Sequence, residues 1–169
     1  MKTDKPFQLP SHSLAFAAVL ACMVLIFFFS AQPVGESRQT SGKLVLLIGR
    51  LFAKHLQTMT SSERAGWIVR CTRYVRKTAH LLEFAALGAS FAWYFCVFDR
   101  LTDRRRLFFA WAAALLYAVS DELHQFFVPG RGPGALDVLI DAAGALAGAG
   151  VAVCTARRLR KRRAGAKES

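Results

Sequence analysis

Four long apolar stretches constrain the fold of this chain more than any other feature. They cover residues 13–30, 80–98, 106–127 and 136–156. A helix needs about 20 mostly apolar residues to cross the hydrocarbon core of a bilayer. Inside lipid every backbone amide must find its partner within the protein, and a helix pairs them within its own segment. The pattern therefore predicts an all-α integral membrane protein with four transmembrane helices.

The charge of the chain agrees with this prediction. The 169 residues are 54% hydrophobic, yet they include 23 Lys and Arg against 11 Asp and Glu, which gives a net charge of +12. A nucleic-acid-binding protein can be equally basic, but it carries its basic residues on one binding surface. Here the basic runs flank apolar stretches, which is typical of membrane proteins. We therefore expect no nucleic-acid partner.

The distribution of Lys and Arg predicts the orientation in the membrane. The N-terminal tail, the connection 99–106 and the C-terminal tail together hold thirteen basic residues, whereas the short connection 128–135 holds only Arg131. Both termini of this multi-pass cell-membrane protein are thus predicted to be cytoplasmic. The long connection 31–79 also carries nine basic residues, but the rule has less force in a long connection. The first stretch could be a cleaved signal peptide, although its length favours a retained anchor.

The predicted organisation is a single membrane domain between two tails. Residues 1–12 form a cytoplasmic tail, residues 13–156 a four-helix membrane domain, and residues 157–169 a basic, disordered cytoplasmic tail. The four cysteines show no CxxC or other paired spacing. Neither a disulfide framework nor a zinc ribbon is therefore predicted, and we expect no cofactor.

The long connection after the first stretch is predicted to contain a helix of its own. Apolar residues recur at helical spacing from Leu44 to Leu56, with basic residues between them. This pattern predicts an amphipathic helix that either lies at the membrane surface or packs on the other helices. A second helical segment should start near Ser62 and continue into the second span. Earlier in the connection, turns are predicted at Pro33, Gly35 and Gly42.

Polar and ionisable side chains cluster where the second, third and fourth stretches meet the predicted outer face. They are Arg76, Lys77, His80, Glu83, Asp121, Glu122, His124, Gln125, Arg131, Asp137 and Asp141. A charge at the middle of a bilayer costs about 2.5–3.5 kcal/mol, so such groups face the interior of a bundle and pair there. Spacings of three and four residues place the members on each helix along one face. The pattern predicts a polar pocket at the outer face.

Each of these features also has a purely structural interpretation. The basic residues at 76 and 77 could anchor the chain at the lipid headgroups. His80 and Glu83 could form a structural hydrogen-bonded pair. Gly144 and Gly148 form a GxxxG pair, which favours close helix packing. Ionisable residues from several segments near one face nevertheless favour a functional site.

Four motifs resemble those of the VanZ-like family, which is associated with resistance to the glycopeptide teicoplanin. They are "FSAQPVGESRQTS", "RKTAHLLEFAALG", "SDELHQFFVPGR" and "DVLIDAAGALAG", and the resemblance runs from near Phe27 to Gly148. It implies a small polytopic envelope protein without a settled mechanism, and His124 lies where the family varies. The family pattern falls on Arg76, Lys77, His80, Glu83, Ser120, Asp121, Glu122, Gln125, Arg131, Asp137 and Asp141.

Three functions are compatible with the polar cluster. In the first, which we favour, the pocket binds or modulates an anionic lipid, such as a lipid-linked cell-wall precursor, with Arg76, Lys77 and Arg131 contacting phosphate. The second is an intramembrane enzyme acting on a lipid-linked substrate, with His80, Glu83, Asp121 and Glu122 as the catalytic candidates. The third is a small proton-coupled transporter.

A metal site is the weaker form of the enzyme hypothesis. His80, Glu83, Asp121 and His124 could ligate a divalent metal. No His-Glu-x-x-His motif is present to support that assignment, so no metal is predicted.

Overall fold

Helices account for 87% of the residues that the structure describes, and no strand occurs among them. The computed structural model describes residues 12–49, 58–132 and 134–168. Its helices are α1 (His12–Ser30), α2 (Val34–Gly49), α3 (Ser61–Cys96), α4 (Asp103–Phe126) and α5 (Ala135–Glu168). The all-α class is confirmed. Most of the predicted N-terminal tail, and the predicted amphipathic helix beyond residue 49, lie outside the described residues.

The four longest helices lie side by side and alternate in direction. His12 at the start of α1 stacks edge-on against Phe98, which follows α3. Ser30 at the other end of α1 hydrogen-bonds Asp121 near the end of α4. Arg160 in α5 bonds Asp103 at the start of α4. One end of the bundle therefore holds the end of α1, the end of α4 and the start of α5.

The centre of the bundle is built from apolar side chains on α1, α3, α4 and α5, many of them small. A first cluster includes Phe84, Leu87 and Ala118, and a second cluster nearer the opposite end includes Ala110 and Ala149. Small residues let the helix backbones approach closely. Hydrophobic burial in this bundle therefore depends on close packing of α3, α4 and α5, with α1 adding Val19 and Ile26 to the first cluster.

Large apolar side chains cover much of the outside. On α1, Phe28 is 64% exposed, and on α4, Leu116 is 73% exposed. Along α4 the exposed residues recur at helical spacing as Phe108, Leu116, Val119, Leu123 and Phe126. Contiguous apolar surface of this extent is rare on soluble monomers and indicates contact with lipid or protein.

Two helices of the described chain are long and apolar enough to cross a membrane by length and composition. They are His12–Ser30 and the Ala135–Arg162 part of α5. Helices α3 and α4 carry ionisable residues among their apolar ones, and these residues lower the mean hydropathy of both helices. By length and composition the described helices therefore include two candidate spans, a coarser result than the predicted four.

Helix α2 differs from the prediction for the first connection. It contains Gly35 and Gly42 within its length, so the turns predicted at these two glycines were wrong, whereas Pro33 does precede the helix. Val45 is only 1% exposed and Leu46 is 58% exposed. The helix thus packs one side on α3 and leaves apolar residues on the other, because neighbouring helical positions point in different directions.

The C-terminal tail was also predicted incorrectly. It was expected to be disordered, but α5 continues through the basic run to Glu168. Ala, Arg, Lys and Leu dominate this run, and they are the residues with the highest helix propensity. Arg160 is further fixed by its hydrogen bond of 2.6 Å to Asp103.

Candidate functional site

A cavity of about 140 Å³ lies at the end of the bundle where α4 ends and α5 begins. Its walls come from α3, α4, the turn between α4 and α5, and α5 itself. Most of the residues predicted from sequence contribute to it. These are Arg76, Lys77, His80, Glu122, Gln125, Arg131, Asp137 and Asp141.

Helix α3 places its polar residues at the cavity through simple helical spacing. Arg76 and His80 are four residues apart and share a face. Lys77 is one position further round, and its Nζ lies 2.5 Å from Asp137 Oδ1. This half-exposed ion pair joins α3 to the first turn of α5. Lys77 is therefore a link between two walls of the cavity as well as a cation.

The turn between α4 and α5 is fixed by one hydrogen bond within the turn and one to α4. The Arg131 amide donates to Val128 O at 3.1 Å, and Gly130 has a φ of 76°, which glycine adopts without strain. The Gly134 amide donates to the Glu122 carboxylate. These bonds hold Arg131 over the cavity.

Arg131 is half-buried and reaches across the turn to α1. Its Nη2 donates to the backbone oxygen of Phe29 at 3.1 Å. Burial lowers the pKa of Arg131, and the nearby Arg76 guanidinium lowers it further. Arginine remains protonated in proteins, so two positive groups face each other at this cavity.

Arg76 is the less engaged of the two arginines. Among the described residues it makes no hydrogen bond and no ion pair. Its guanidinium is half-buried and lines the cavity. A planar fork of five donors without a protein acceptor is suited to a carboxylate or phosphate oxygen.

Several buried polar atoms at the cavity lack a partner within the described part of the chain. They are His80 Nδ1, Arg131 Nε and Asp141 Oδ1. Buried polar atoms are hydrogen-bonded in the great majority of proteins. Atoms of both donor and acceptor type are therefore available in the cavity to a bound polar molecule.

Asp121 and Glu83 lie outside the cavity lining. Asp121 is buried behind it, and its Oδ2 accepts from Ser30 Oγ and from Gln125 Nε2, each at 2.8 Å. Glu83 is half-buried and within electrostatic range of Asp121 and Arg131. Asp121 thus orients Gln125, which does line the cavity. We assign Asp121 a positioning role.

Ser30 is a site residue that the sequence did not reveal as one. It is fully buried at the end of α1 and joins that helix to Asp121. The "FSAQP" motif contains it, so a polar residue closing the first apolar stretch was the available signal. Helical spacing relates residues within one helix only, and it could not connect Ser30 to a residue 91 positions away.

The four candidate metal ligands do not form a ligand set. No group of three or more His, Cys, Asp or Glu side chains in the described ranges is placed to hold a metal ion. His124 instead stacks on Phe27, with ring centroids 4.7 Å apart. The geometry therefore adds nothing to the metal hypothesis.

A known protein family matches this chain over most of its length. The sequence profile of the VanZ/LLP1 family matches residues 15–157. The chain belongs to the VanZ/LLP1 family. The VanZ/LLP1 match covers α1 to the basic part of α5 and so includes every residue of the cavity. Together with the two apolar helices it identifies a membrane protein. No curated protein and no solved structure matches the chain significantly.

Proposed function

We propose that this protein binds or modulates an anionic lipid-linked precursor of the cell envelope, through a polar pocket at the outer face of the membrane. The observation that carries the proposal is the pair of arginines, Arg76 and Arg131, at one half-buried cavity. This assignment accords with a family related to glycopeptide resistance. The proposal does not require that this protein confers resistance to teicoplanin.

The proposed topology has four spans, formed by α1, the second half of α3, α4 and the first part of α5. Alternating helix directions and the exposed apolar stripe on α4 support it. The basic residues support it as well, since Arg100 and the C-terminal run lie at the end of the bundle opposite the cavity. Under the positive-inside rule that end is cytoplasmic, and the cavity faces outward.

An anion at the cavity would resolve an unfavourable arrangement. Two guanidinium groups near each other repel, and burial strengthens that repulsion because the local dielectric is low. Phosphate oxygens placed between Arg76 and Arg131 would accept from both. Arg131 Nε, which lacks a partner among the described residues, is one donor available for that contact.

The carboxylates suit the rest of such a ligand. Asp137 is already paired with Lys77, and Glu122 accepts from the turn amide. Asp141 keeps a buried oxygen free of any partner in the described chain. A sugar hydroxyl or a peptide amide could donate to that oxygen. The pocket therefore combines phosphate donors at one wall with an acceptor at another.

An intramembrane enzyme is the second candidate, because His80 and Asp141 both present unpartnered buried atoms to the same cavity. An imidazole and a carboxyl group could act as acid and base on a bound lipid substrate. Conversion of a lipid pyrophosphate by purified wild type, lost in His80→Gln and Asp141→Asn, would distinguish an enzyme from a binding protein.

Native mass spectrometry of lipid retention tests the binding proposal. We expect Arg76→Ala to lose most of the copurifying anionic lipid with little change in stability, because Arg76 makes no hydrogen bond or ion pair within the described chain. Arg131→Lys should retain part of the lipid, since Lys supplies a point charge without the planar fork. Arg104→Ala is the control, because Arg104 is exposed at the opposite end. Equal lipid retention by wild type and Arg76→Ala would refute the proposal.

A further inference from the structure

A second cavity lies beside the first, between α2 and the first half of α3. It is a groove of about 310 Å³, lined by Gly42, Ile68, Val69, Thr72, Arg73 and Arg76. Apart from its two arginines, the groove offers mainly aliphatic and methyl surface. A groove of this kind suits an extended hydrocarbon chain.

Arg76 belongs to both cavities. Residues 68, 72, 76 and 80 follow one face of α3 at four-residue spacing, so the groove leads along the helix to the polar cavity. From residue 68 to residue 80 the helix rises roughly 18 Å. An amphiphile could therefore place its charged group at Arg76 and its chain in the groove.

Under the proposed topology, the groove lies where a bound hydrocarbon chain would not be covered by the bilayer. Lys77 pairs with Asp137 in the first turn of α5, so residues 61–76 of α3 extend beyond the start of α5. At 1.5 Å per residue this extension is roughly 24 Å long. It carries charged residues such as Glu63, Arg70 and Arg73, which places it outside the hydrocarbon core under the proposed topology. A chain whose headgroup entered the cavity from that side would otherwise lie in water.

We propose that the α2–α3 groove holds the hydrocarbon chain of the same anionic lipid whose headgroup occupies the polar cavity. This inference rests on the proposed function. It adds that the lipid leaves the bilayer in part, with its chain lying along α3 against α2. The shared wall at Arg76 and the positive charge of Arg73 select an anionic amphiphile as the occupant.

Gly42 allows a direct test. A Cβ built at Gly42 meets nothing within 4 Å, and the same holds for Gly35 in the same helix. Only Gly42 lines the groove. Gly42→Leu should therefore fill the groove without disturbing the fold, and Gly35→Leu, about two turns nearer the start of α2 and outside the groove lining, is a matched control.

The probe is hexadecyl phosphate with a diazirine at the chain end, in phosphatidylcholine nanodiscs containing the full chain. We expect photolabelling of residues around 42 and 68–73 in wild type and in Gly35→Leu. Labelling there should fall roughly tenfold in Gly42→Leu, because the leucine side chain takes space that the hydrocarbon chain would fill, and a tenfold loss of affinity corresponds to about 1.4 kcal/mol. The same chain on a phosphocholine headgroup should not label the groove.

The two proposals fail in different ways. Anionic lipid retained in an Arg76-dependent manner, with labels only on exposed apolar residues such as Leu82, would overturn the groove and leave the headgroup site. Groove labelling that is equal in Gly42→Leu and Gly35→Leu would also overturn it. Retention that does not depend on Arg76, together with an unlabelled groove, would refute both.

Discussion

At the scale of single residues, the buried hydrogen bonds around Asp121 hold Gln125, one of the residues that line the cavity. Its carboxylate joins Ser30 on α1 to Gln125 on its own helix. Gln125 Nε2 also approaches Ser30 Oγ at 3.4 Å. Three side chains from two helices thus share one small network, and none of them is fully satisfied without the others.

We expect Ser30→Ala to lower the stability of the protein by about 1–3 kcal/mol, because it leaves the buried Asp121 carboxylate short of a donor. Thermal unfolding in nanodiscs is the measurement. Ser120→Ala is the control, since Ser120 is exposed and its one hydroxyl bond within the described ranges is to Tyr117 O in its own helix. The Ser30→Ala and Asp121→Asn effects should be non-additive in the double variant, because the residues are in contact. Additive effects would contradict the network.

Most of the residues that line the cavity were predicted from the sequence, whereas the positions of the buried residues behind them were not. Arg76, His80, Asp137 and Asp141 followed from helical spacing, which fixes the shared face of each helix. Asp121 was expected among the lining residues but lies behind them. Helical spacing predicts which face of its own helix a side chain lies on. How deeply the side chain is buried depends on the packing of neighbouring helices, which cannot be read from spacing in a single sequence.

At the scale of the helices, the backbones of α3 and α5 approach each other closely where they cross. A Cβ added at Gly144 would overlap the backbone of Leu81, one at Gly148 would overlap Ala85, and one at Gly88 would overlap Ala145. The close packing predicted for the GxxxG pair is thus confirmed. Glycine is required on both helices, because backbone atoms rather than flexible side chains oppose it.

Gly148→Ala should destabilise the protein strongly, while Gly150→Ala should be neutral or stabilising. Both residues lie in α5, but the space around a Cβ at Gly150 is open. Replacing an interior helical Gly by Ala gains about 0.5–1 kcal/mol where it fits. At Gly148 the two backbones must separate, which costs about 1–3 kcal/mol or more. Unfolding temperatures of the two variants in the same detergent test this, and similar shifts would contradict the packing.

The helix boundaries were predicted closely where apolar runs are long. The expected spans at 13–30 and 106–127 became helices His12–Ser30 and Asp103–Phe126. The Gly35 and Gly42 turns failed because isolated glycines weaken a helix by only about 1 kcal/mol, and packing of Val45 on α3 outweighs that cost. The tail beyond 156 was taken as disordered from its charge, although its residues favour helix.

At the scale of the whole molecule, the two ends of the bundle differ in chemistry. The cavity end holds carboxylates, imidazole and two arginines. The other end holds a buried Arg106, which donates to Asp103 Oδ1 and to Phe98 O, each at 2.9 Å. Asp103 also accepts from Arg160. This second network ties α3, α4 and α5 together and faces the basic terminal run.

The proposed orientation predicts which end is accessible from outside the cell. In a background without the native cysteines, Gly132→Cys should react with a membrane-impermeant maleimide on intact cells. Gly132 is exposed, and a side chain there meets nothing within 4 Å. Asp99→Cys, exposed in the connection at the opposite end, should react only after permeabilisation. The reverse pattern would invert the topology and place the cavity on the cytoplasmic side.

The dependence of every shared feature on α5 has a consequence for biosynthesis. The ribosome makes α5 after α1 to α4, yet α5 supplies Asp137 and Asp141 to the cavity, the glycines opposite α3, and the Arg160 partner of Asp103. Before α5 is made, Lys77 and the Gly88 face of α3 lack the partners that α5 gives them. The cavity can therefore take its final form only once α5 has packed against α3 and α4.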